Sequence, residues 1–164
     1  MVKSGDFFRL EKYKTIFYSY HLTNFLQSLL KAHIKLELKF RYFFTKFIYA
    51  NILALSRAGF ISNVRVVGVD GYKNREFLIT SVMSSWNRAY VEMYLKYFNE
   101  GNIMRSIKIY SRPGRRVFVT AGTLRKMANI NPGNIIFIST SAGVLNHFQA
   151  LNAKIGGLLL YKIN

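Results

Sequence analysis

The chain contains no acidic residue from Gly101 to its last residue, Asn164. All seven Asp and Glu side chains lie at or before position 100, whereas the whole chain carries 24 Lys and Arg. Nine of these cations fall in the acid-free part, with no local carboxylate to pair with: Arg105, Lys108, Arg112, Arg115, Arg116, Arg125, Lys126, Lys154 and Lys162. A solvated basic face is one outcome of such a pattern, but this many cations without an anion favours binding of phosphate groups.

The bulk composition bounds the class of protein. A formal net charge of +17 implies self-repulsion in the free protein, so an acidic partner is expected. The hydrophobic fraction of 51% over 164 residues is enough for one full core or two small ones. Cysteine is absent, which excludes disulfides, thiolate metal sites and cysteine nucleophiles together.

Membrane surfaces are also anionic, so a chain with this positive charge is expected to be attracted to them as well as to nucleic acid. The richest apolar run, residues 42–55, is fourteen residues long and contains Lys46, which is too short and too polar for a span of about 20 apolar residues. The N-terminus contains Asp6 and Glu11 and does not have the pattern of a signal or transit peptide. A basic peripheral membrane or scaffold protein of an organelle therefore remains the alternative to a nucleic-acid binder.

Periodicity predicts an α/β (α+β) protein with two small domains. In the first half, apolar residues at helical spacing predict two helices, the second ending at Gly59, and strands follow at 64–69, 76–83 and 89–98. We expect N-terminal helices packed on a short sheet. We place the domain boundary near residues 99–111, which gives an extension at 1–20, an N-terminal α/β domain at 21–104 and a C-terminal domain at 105–164.

The C-terminal domain is expected to be mainly β, with short helices. Its predicted elements are a strand at 106–110, a strand at 117–120, a helix near 123–130, a strand at 135–138, a helix at about 144–152 and a final strand at 157–163. Two polar segments interrupt them: the turn sequence SRPGRR, residues 111–116, and a hydroxyl-rich loop, Ser139 to Gly143.

The hydroxyl-rich loop allows several chemistries. A serine nucleophile, Ser139 or Ser141, needs a base oriented by a third group, and His147 has no acid in its own domain to do so. The three histidines are scattered without ligand spacing, so no metal site is predicted. A nucleotide-binding loop would need a lysine at the start of the following helix, and none occurs before Lys154.

RNA recognition needs cations that hold the backbone and small polar groups that reach sugar hydroxyls and base edges. Ser139, Thr140 and Ser141 supply the polar groups, and the N-terminus of the predicted following helix would also favour phosphate. The same hydroxyls could instead close a turn and cap that helix. Likewise, Arg112, Arg115 and Arg116 around the Pro113-Gly114 turn form either a compact anion grip or a hairpin tip with solvated arginines.

The order of these motifs resembles small-subunit ribosomal protein eight, the universal S-eight family. SRPGRRVF is similar to the family pattern S-(K/R)-P-G-x-R-(V/I)-Y, and ISTSAGV to S-T-(S/P)-x-G-(V/L/I). Twelve residues then separate Gly143 from Gly156-Gly157, which matches the spacing to the family's Gly-Gly-Glu. Weaker similarity in the segments 24–32 and 45–61 extends the resemblance to roughly 22–162.

The resemblance implies a two-domain α/β protein that binds a helix in the central domain of small-subunit rRNA, contacts neighbouring ribosomal proteins and is not an enzyme. It implies no catalytic residue, metal, cofactor or small-molecule substrate. The RNA-binding residues implied by the matching motifs are Arg112, Pro113, Gly114, Arg115, Arg116, Phe118, Ser139, Thr140, Ser141, Gly143, Gly156, Gly157, Lys31 and Lys46.

The chain departs from the family pattern at several positions. Leu158 stands where the family has Glu, and Phe118 where it has Tyr. In the first helix, Asn24 replaces an aspartate, and Ser28 and Leu30 replace arginines. This drift toward Phe, Tyr, Ile, Asn and Lys is similar to proteins encoded by A+T-rich organelle genomes, so we expect a mitochondrial ribosome, with plastid or bacterial ribosomes as alternatives.

Overall fold

A computed structural model describes residues 20–69, 76–78, 89–98, 101–112, 114–130 and 132–164. The chain forms two compact units, one of Ser28–Arg105 and one that joins Met1–Gln27 to Ser106–Asn164. Helices and antiparallel sheets occur together, which confirms the α+β class. The domain limits at 20/21 and 104/105 stay a prediction from the sequence.

Two helices precede most of the sheet of the first unit. Helix α1 occupies residues 20–34 and its residues from Ser28 onward belong to this unit. Helix α2 (Lys46–Arg57) begins at Thr45, whose hydroxyl accepts the backbone N–H of Ile48 at 3.2 Å. It ends two residues before Gly59, as the sequence predicts, and packs on strand β2. None of the helices within the described residues is long and apolar enough to cross a bilayer.

The sheet of this unit has four strands in the order β1-β4-β2-β3: β1 (Lys39–Phe43), β2 (Ile61–Val69), β3 (Glu76–Leu78) and β4 (Ala89–Leu95). All three pairings are antiparallel. Ala89, Val91, Met93 and Leu95 of β4 are buried on the side of the sheet that forms the core. The sequence also predicts a turn at Asp70-Gly71. This turn and residues 79–83 of the second predicted strand lie outside the described residues.

Strand β1 was not predicted from the sequence. Its five residues alternate between exposed and half-buried, with Lys39 and Arg41 on one side and Phe40 and Tyr42 on the other. This is the period-two signal of a half-buried strand. The end of β1 overlaps the apolar run at residues 42–55, which continues into helix α2. The apolar character of that run conceals the alternation of the strand.

The second unit is built around its last strand. Strand β9 (Gly157–Ile163) pairs antiparallel with β7 (Ile135–Thr140) on one side and with both β5 (Ile107–Ile109) and β6 (Phe118–Val119) on the other. Strand β8 (Gly143–Asn146) completes the sheet beside β7. Helices α3 (Ala121–Ile130) and α4 (His147–Asn152) contact each other, and their buried residues Leu124 and Ala150 join Ile136, Ile138 and Leu159 in the core.

The helix predicted at 144–152 begins later than expected. The chain reverses at Ser141-Ala142, and residues 143–146 form strand β8 instead. Gly143 has φ +104°, a backbone conformation that L-residues rarely adopt, which allows this tight reversal. Helix α4 then starts at His147 with Asn146 as its cap, since the Asn146 side chain accepts the Gln149 backbone N–H at 2.8 Å.

Two buried histidines are expected to make folding pH-dependent. Burial lowers the pKa of His33 and of His147 below the ordinary value of 6.5. The Nδ1 atom of His147 accepts the backbone N–H of Ile136 at 3.2 Å, a bond that requires this nitrogen to be unprotonated. As pH falls below about 6.5, the unfolded chain therefore binds protons before the folded chain does.

We predict that the free energy of unfolding is smaller at about pH 5.5 than at about pH 7.5, by at most about 1.4 kcal/mol per pH unit for each histidine. Urea unfolding at the two pH values measures the difference. The variant His147→Phe should show a smaller difference than the wild type. A wild-type stability that is equal at both pH values would contradict the expected titration.

Candidate nucleic-acid interface

The hydroxyl-rich segment is the tip of the β7-β8 hairpin, which we call the hydroxyl hairpin (Ser139–Gly143). Ser139 and Thr140 belong to strand β7, so only Ser141 and Ala142 form the connecting turn. The Thr140 hydroxyl donates to the Gly143 carbonyl at 2.9 Å and accepts the Ala142 N–H at 3.2 Å. Thr140 therefore closes the turn, which is one of the two roles that the sequence left open.

Ser141 is the hydroxyl of this group that is presented outward. Its side chain is exposed and forms no hydrogen bond with another described residue. The helix N-terminus expected next to it is replaced by strand β8, whose residue Val144 pairs with Ser139. The hairpin thus offers a hydroxyl on a tight turn, without the helix dipole that the sequence predicted.

The paired glycines are required by close contacts within the protein itself. A Cβ atom on Gly157 would overlap the Ser139 carbonyl oxygen and lie 3.2 Å from the Thr140 methyl group. A Cβ atom on Gly156 would overlap the Val119 carbonyl oxygen and lie 3.0 Å from the Cα of Thr120. Gly156 and Gly157 therefore let the start of β9 fit between β6 and the hydroxyl hairpin.

The arginine turn, Arg112 to Arg116, closes as a two-residue reversal. The N–H of Arg115 donates to the carbonyl of Arg112 at 3.0 Å, and the Arg112 N–H donates back at 3.0 Å. Gly114 has φ +85°, the left-handed conformation that a type II turn needs at its third position. Arg112, Arg115 and Arg116 are all exposed, whereas Pro113 lies outside the described residues.

Ser111 anchors the arginine turn, a role that the sequence analysis did not assign. Its buried hydroxyl donates to the Leu159 carbonyl of β9 and accepts the Val117 N–H at 3.1 Å. The Leu159 N–H donates in turn to the Val117 carbonyl at 2.8 Å. Both ends of the loop are thereby tied to β9. The sequence signal for this anchor is that a serine, Ser111, begins the segment SRPGRR, directly before the arginine turn.

Strand register brings the two motifs to the same end of the sheet. Phe118 of β6 is the partner of Leu158 in β9, and Leu158 is also the partner of Ser139 in β7. Neighbouring strands lie about 4.8 Å apart, so the Cα atoms of Phe118 and Ser139 are roughly 10 Å apart. Phe118 is 71% exposed, and Leu158 is half-buried beside it. Two of the departures from the family pattern, Phe118 and Leu158, are therefore neighbours across the sheet.

The electrostatics of this unit favour an anion. Its described residues include eight Lys and Arg and no Asp or Glu, and every one of those cations except half-buried Lys162 is exposed. Lys108 and Lys162 are direct cross-strand partners, an arrangement in which like charges repel. A phosphate-bearing ligand would relieve this repulsion, whereas nothing within the described part of the unit supplies a side-chain carboxylate.

Lys31 and Lys46 lie in the other unit. Lys31 is exposed on helix α1, and Lys46 is the exposed first residue of helix α2. The first turn of α2 contains no acidic residue, so a lysine sits at the positive end of the helix dipole without compensation. Both side chains are available to bind phosphate, and they are separate in sequence and unit from the two motifs described above.

The geometry does not assemble a hydrolase or a metal site within the described residues. No group of three or more His, Asp or Glu that could hold a metal ion occurs among them. His147, the base that a serine nucleophile would need, is buried and uses Nδ1 to hold the Ile136 backbone. The described part of its unit contains no side-chain carboxylate to orient it.

Comparison with known proteins identifies similar chains. A family model described as Ribosomal protein S8 matches residues 21–164. The small ribosomal subunit protein uS8m of Neurospora crassa is 32% identical over 134 residues, which cover 73% of this chain and 82% of the relative. The uS8 protein of Nitrobacter winogradskyi is 34% identical over 84 residues, 51% of this chain and 61% of the relative. The uS8m protein of Acanthamoeba castellanii is 35% identical over 74 residues, 45% of this chain and 58% of the relative. The last two matches span less than two thirds of those relatives.

We predict that Ser111→Ala destabilises the protein by about 1–3 kcal/mol, because the partly buried Val117 N–H and the buried Leu159 carbonyl both lose a partner. Chemical denaturation measures the loss. Ser106→Ala is the matched control, since Ser106 is an exposed serine of the same unit. Equal stabilities for the two variants would show that Ser111 does not anchor the loop.

We predict opposite effects of alanine at two glycines. Gly157→Ala should cost about 1–3 kcal/mol because its Cβ meets backbone atoms of Ser139. Gly122→Ala is the control. Gly122 lies in helix α3, and its Cβ would be 4.0 Å from the nearest atom, the Thr120 hydroxyl oxygen. We therefore expect the free energy of unfolding to rise by about 0.5–1 kcal/mol. A neutral Gly157→Ala would contradict the close fit of β9 against the hydroxyl hairpin.

Proposed function

Because the chain belongs to the ribosomal protein S8 family, a family of structural proteins rather than enzymes, we propose that its second unit binds a helix in the central domain of small-subunit rRNA. The protein would support assembly of that subunit by holding the RNA helix in its folded form. Neighbouring small-subunit proteins are its other proposed partners. No cofactor or small-molecule substrate takes part in this function.

The proposed location is the mitochondrial ribosome. Two relatives, from Neurospora crassa and Acanthamoeba castellanii, carry the name uS8m, and the alignment with the first covers 73% of this chain. The residue drift of the sequence toward Phe, Tyr, Ile, Asn and Lys agrees with this location. The comparisons and the composition thus support the same compartment independently.

The observation that carries the proposal is the convergence of two motifs on strand β9 in a unit whose described residues contain no Asp or Glu. The arginine turn is tied to β9 through Ser111, and the hydroxyl hairpin is fitted against β9 through Gly157. Cations that fix the phosphate backbone and a hydroxyl that reaches into a shallow groove are thereby presented by one small sheet.

The structure supports different roles for the two motifs in RNA binding. Arg112, Arg115 and Arg116 can each bind phosphate oxygens with two parallel hydrogen bonds, a contact that carries no base information. Ser141 is the proposed reader of the groove, because its hydroxyl is exposed and has no other described partner. Thr140 contributes by holding the turn, and its remaining oxygen lone pair can still accept a hydrogen bond.

The departures from the family pattern change the proposed contact surface. With Phe118 and Leu158 as cross-strand partners, an apolar pair takes the place of a phenol and a carboxylate. An exposed phenyl ring can stack on a base or cover a sugar, but it cannot donate a hydrogen bond. We therefore propose that this chain makes fewer polar and more apolar contacts at that position than the family pattern implies. Lys31 and Lys46 of the other unit are proposed to add phosphate contacts.

We predict that Ser141→Ala and Arg115→Ala weaken RNA binding in different ways. Ser141→Ala should cost on the order of 1 kcal/mol for the cognate central-domain hairpin and little for an unrelated duplex, because a groove contact is lost. Arg115→Ala should weaken both RNAs similarly and reduce the steepness of the log–log salt dependence by up to about 0.9, because one phosphate contact is lost. Filter binding at several salt concentrations measures both quantities.

Ser106→Ala provides the control for the hydroxyl variant, because Ser106 lies at the opposite end of β9, where its backbone pairs with Asn164. It should leave both affinities unchanged. If Ser141→Ala binds the cognate hairpin as the wild type does, the hydroxyl hairpin does not read the groove. An unchanged salt dependence in Arg115→Ala would remove the arginine turn from the phosphate contacts.

A further inference from the structure

The four-stranded sheet of the first unit has an outer face on which nine side chains form three rows. We define the outer face by strands β1, β4 and β2, whose register aligns the rows across the sheet. The rows are Lys39–Tyr94–Asn63, Arg41–Glu92–Arg65 and Phe43–Tyr90–Val67. Cross-strand partners project on the same side, so these residues share one surface, opposite the side that carries Val91 and Met93 into the core.

The outer face carries a surplus of positive charge. Glu92 is the one acidic residue among these nine and is only 5% exposed. Its carboxylate contacts the Lys39 Nζ at 2.8 Å and the Arg41 Nε at 3.0 Å. Arg65, which is exposed, is the third cation among the nine residues. Lys39 and Arg41 keep 44% and 46% of their side chains exposed while they contact Glu92.

Tyr94 holds two of these cations at defined positions. The Lys39 Nζ lies 5.9 Å from the centroid of the Tyr94 ring, and the Arg65 Cζ lies 5.8 Å from it. The Tyr94 hydroxyl also donates to Glu92 at 3.3 Å. Both distances are within the range of cation–π attraction. Because this attraction restricts the two flexible side chains before a ligand binds, they lose less conformational entropy on binding.

The third row presents aromatic surface next to the cations. Phe43 is 59% exposed, and its ring centroid lies 5.4 Å from that of Tyr90 at an interplanar angle of 35°. Tyr90 is half-buried beside it, as its cross-strand partner. A water-exposed phenyl ring with a second ring next to it is a suitable platform for flat apolar ligands, and it adjoins Arg41 on the same strand.

We propose that the outer face binds unpaired nucleotides of RNA, with bases stacking on Phe43 and Tyr90 and phosphates held by Lys39, Arg41 and Arg65. Sheet surfaces that combine exposed aromatic rings with cations suit single-stranded nucleic acid, because every base has a face that can stack and every nucleotide carries one negative charge. An acidic peptide would satisfy the cations but would leave the aromatic row without use. A duplex offers no free base faces along its length.

This RNA contact is distinct from the one proposed for the second unit. It uses residues of β1, β2 and β4 instead of the hydroxyl hairpin and the arginine turn, and it recognises base faces and backbone charge rather than a duplex groove. Loss of one contact can therefore be measured without loss of the other.

The test uses the full chain and a labelled oligouridylate of about twelve nucleotides, within the range of site sizes of single-strand-binding folds. Phe43→Ala should weaken this binding about fivefold or more, as expected for the loss of one stacked base. Arg65→Gln should reduce the steepness of the log–log salt dependence by about 0.7, the value for one phosphate contact to a single strand. Neither variant should alter the affinity for the cognate rRNA hairpin.

Matched controls come from the same unit. Phe98 is 72% exposed but lies outside the outer face, and Lys35 is an exposed cation that follows helix α1. Phe98→Ala and Lys35→Gln should bind the oligouridylate as the wild type does. Oligouridylate affinities of Phe43→Ala and Arg65→Gln equal to that of the wild type would overturn the proposal.

A second measurement identifies the occupant in the assembled subunit. A photoreactive benzoylphenylalanine in place of Phe43 should crosslink to RNA nucleotides when the intact small subunit is irradiated. Crosslinks to protein alone, or the absence of any crosslink in subunits that contain the variant, would overturn the proposal. Because the readout is the identity of the crosslinked molecule, a change in overall stability does not decide the result.

Discussion

The pairing of strand β9 is the interaction on which the second unit depends. This strand lies between β7 and the pair β5 and β6, and it receives the anchor of Ser111 near its middle and the close contacts of Gly156 and Gly157 at its start. A side chain larger than hydrogen at either glycine would push the strand away from its neighbours. The arginine turn and the hydroxyl hairpin are both held to one central strand, which gives them the fixed separation that the proposed recognition of an RNA helix requires.

The charge of this unit sets a second condition. Its described residues carry eight cations without Asp or Glu, and Lys108 faces Lys162 across β5 and β9. Hydrophobic packing around Leu124, Ile138 and Leu159 must therefore stabilise the fold against self-repulsion. A bound polyanion would add to that stability by mass action, since it binds the folded chain in preference to the unfolded one. The protein and the RNA proposed as its partner are thus expected to stabilise each other.

Much of the fold could be predicted from the sequence, because periodicity is strong in α1, α2 and β4 and because β9 is a mainly apolar run that begins at a pair of glycines. The failures have local causes. Strand β1 overlaps a longer apolar run, which conceals its alternation. The sequence predicts a helix where strand β8 lies, because the four residues of β8 carry no alternation of their own and are defined by pairing with β7. The motifs located the candidate site, but their internal roles needed coordinates. Thr140 uses its hydroxyl inside the turn, Gly157 serves a contact within the protein, and Ser111 was overlooked because its bonds reach a strand 48 residues away.

The cross-strand pair Phe118 and Leu158 has a consequence for how sequences of this family can change. Two positions that are far apart in the chain share one contact, so the hydrogen-bonding partners of a polar side chain at either position depend on the residue at the other. A carboxylate at position 158 would lie beside a phenyl ring that has no hydrogen bond to donate, whereas a phenol at position 118 would supply a donor. The effects of substitutions at the two positions are therefore expected to be non-additive.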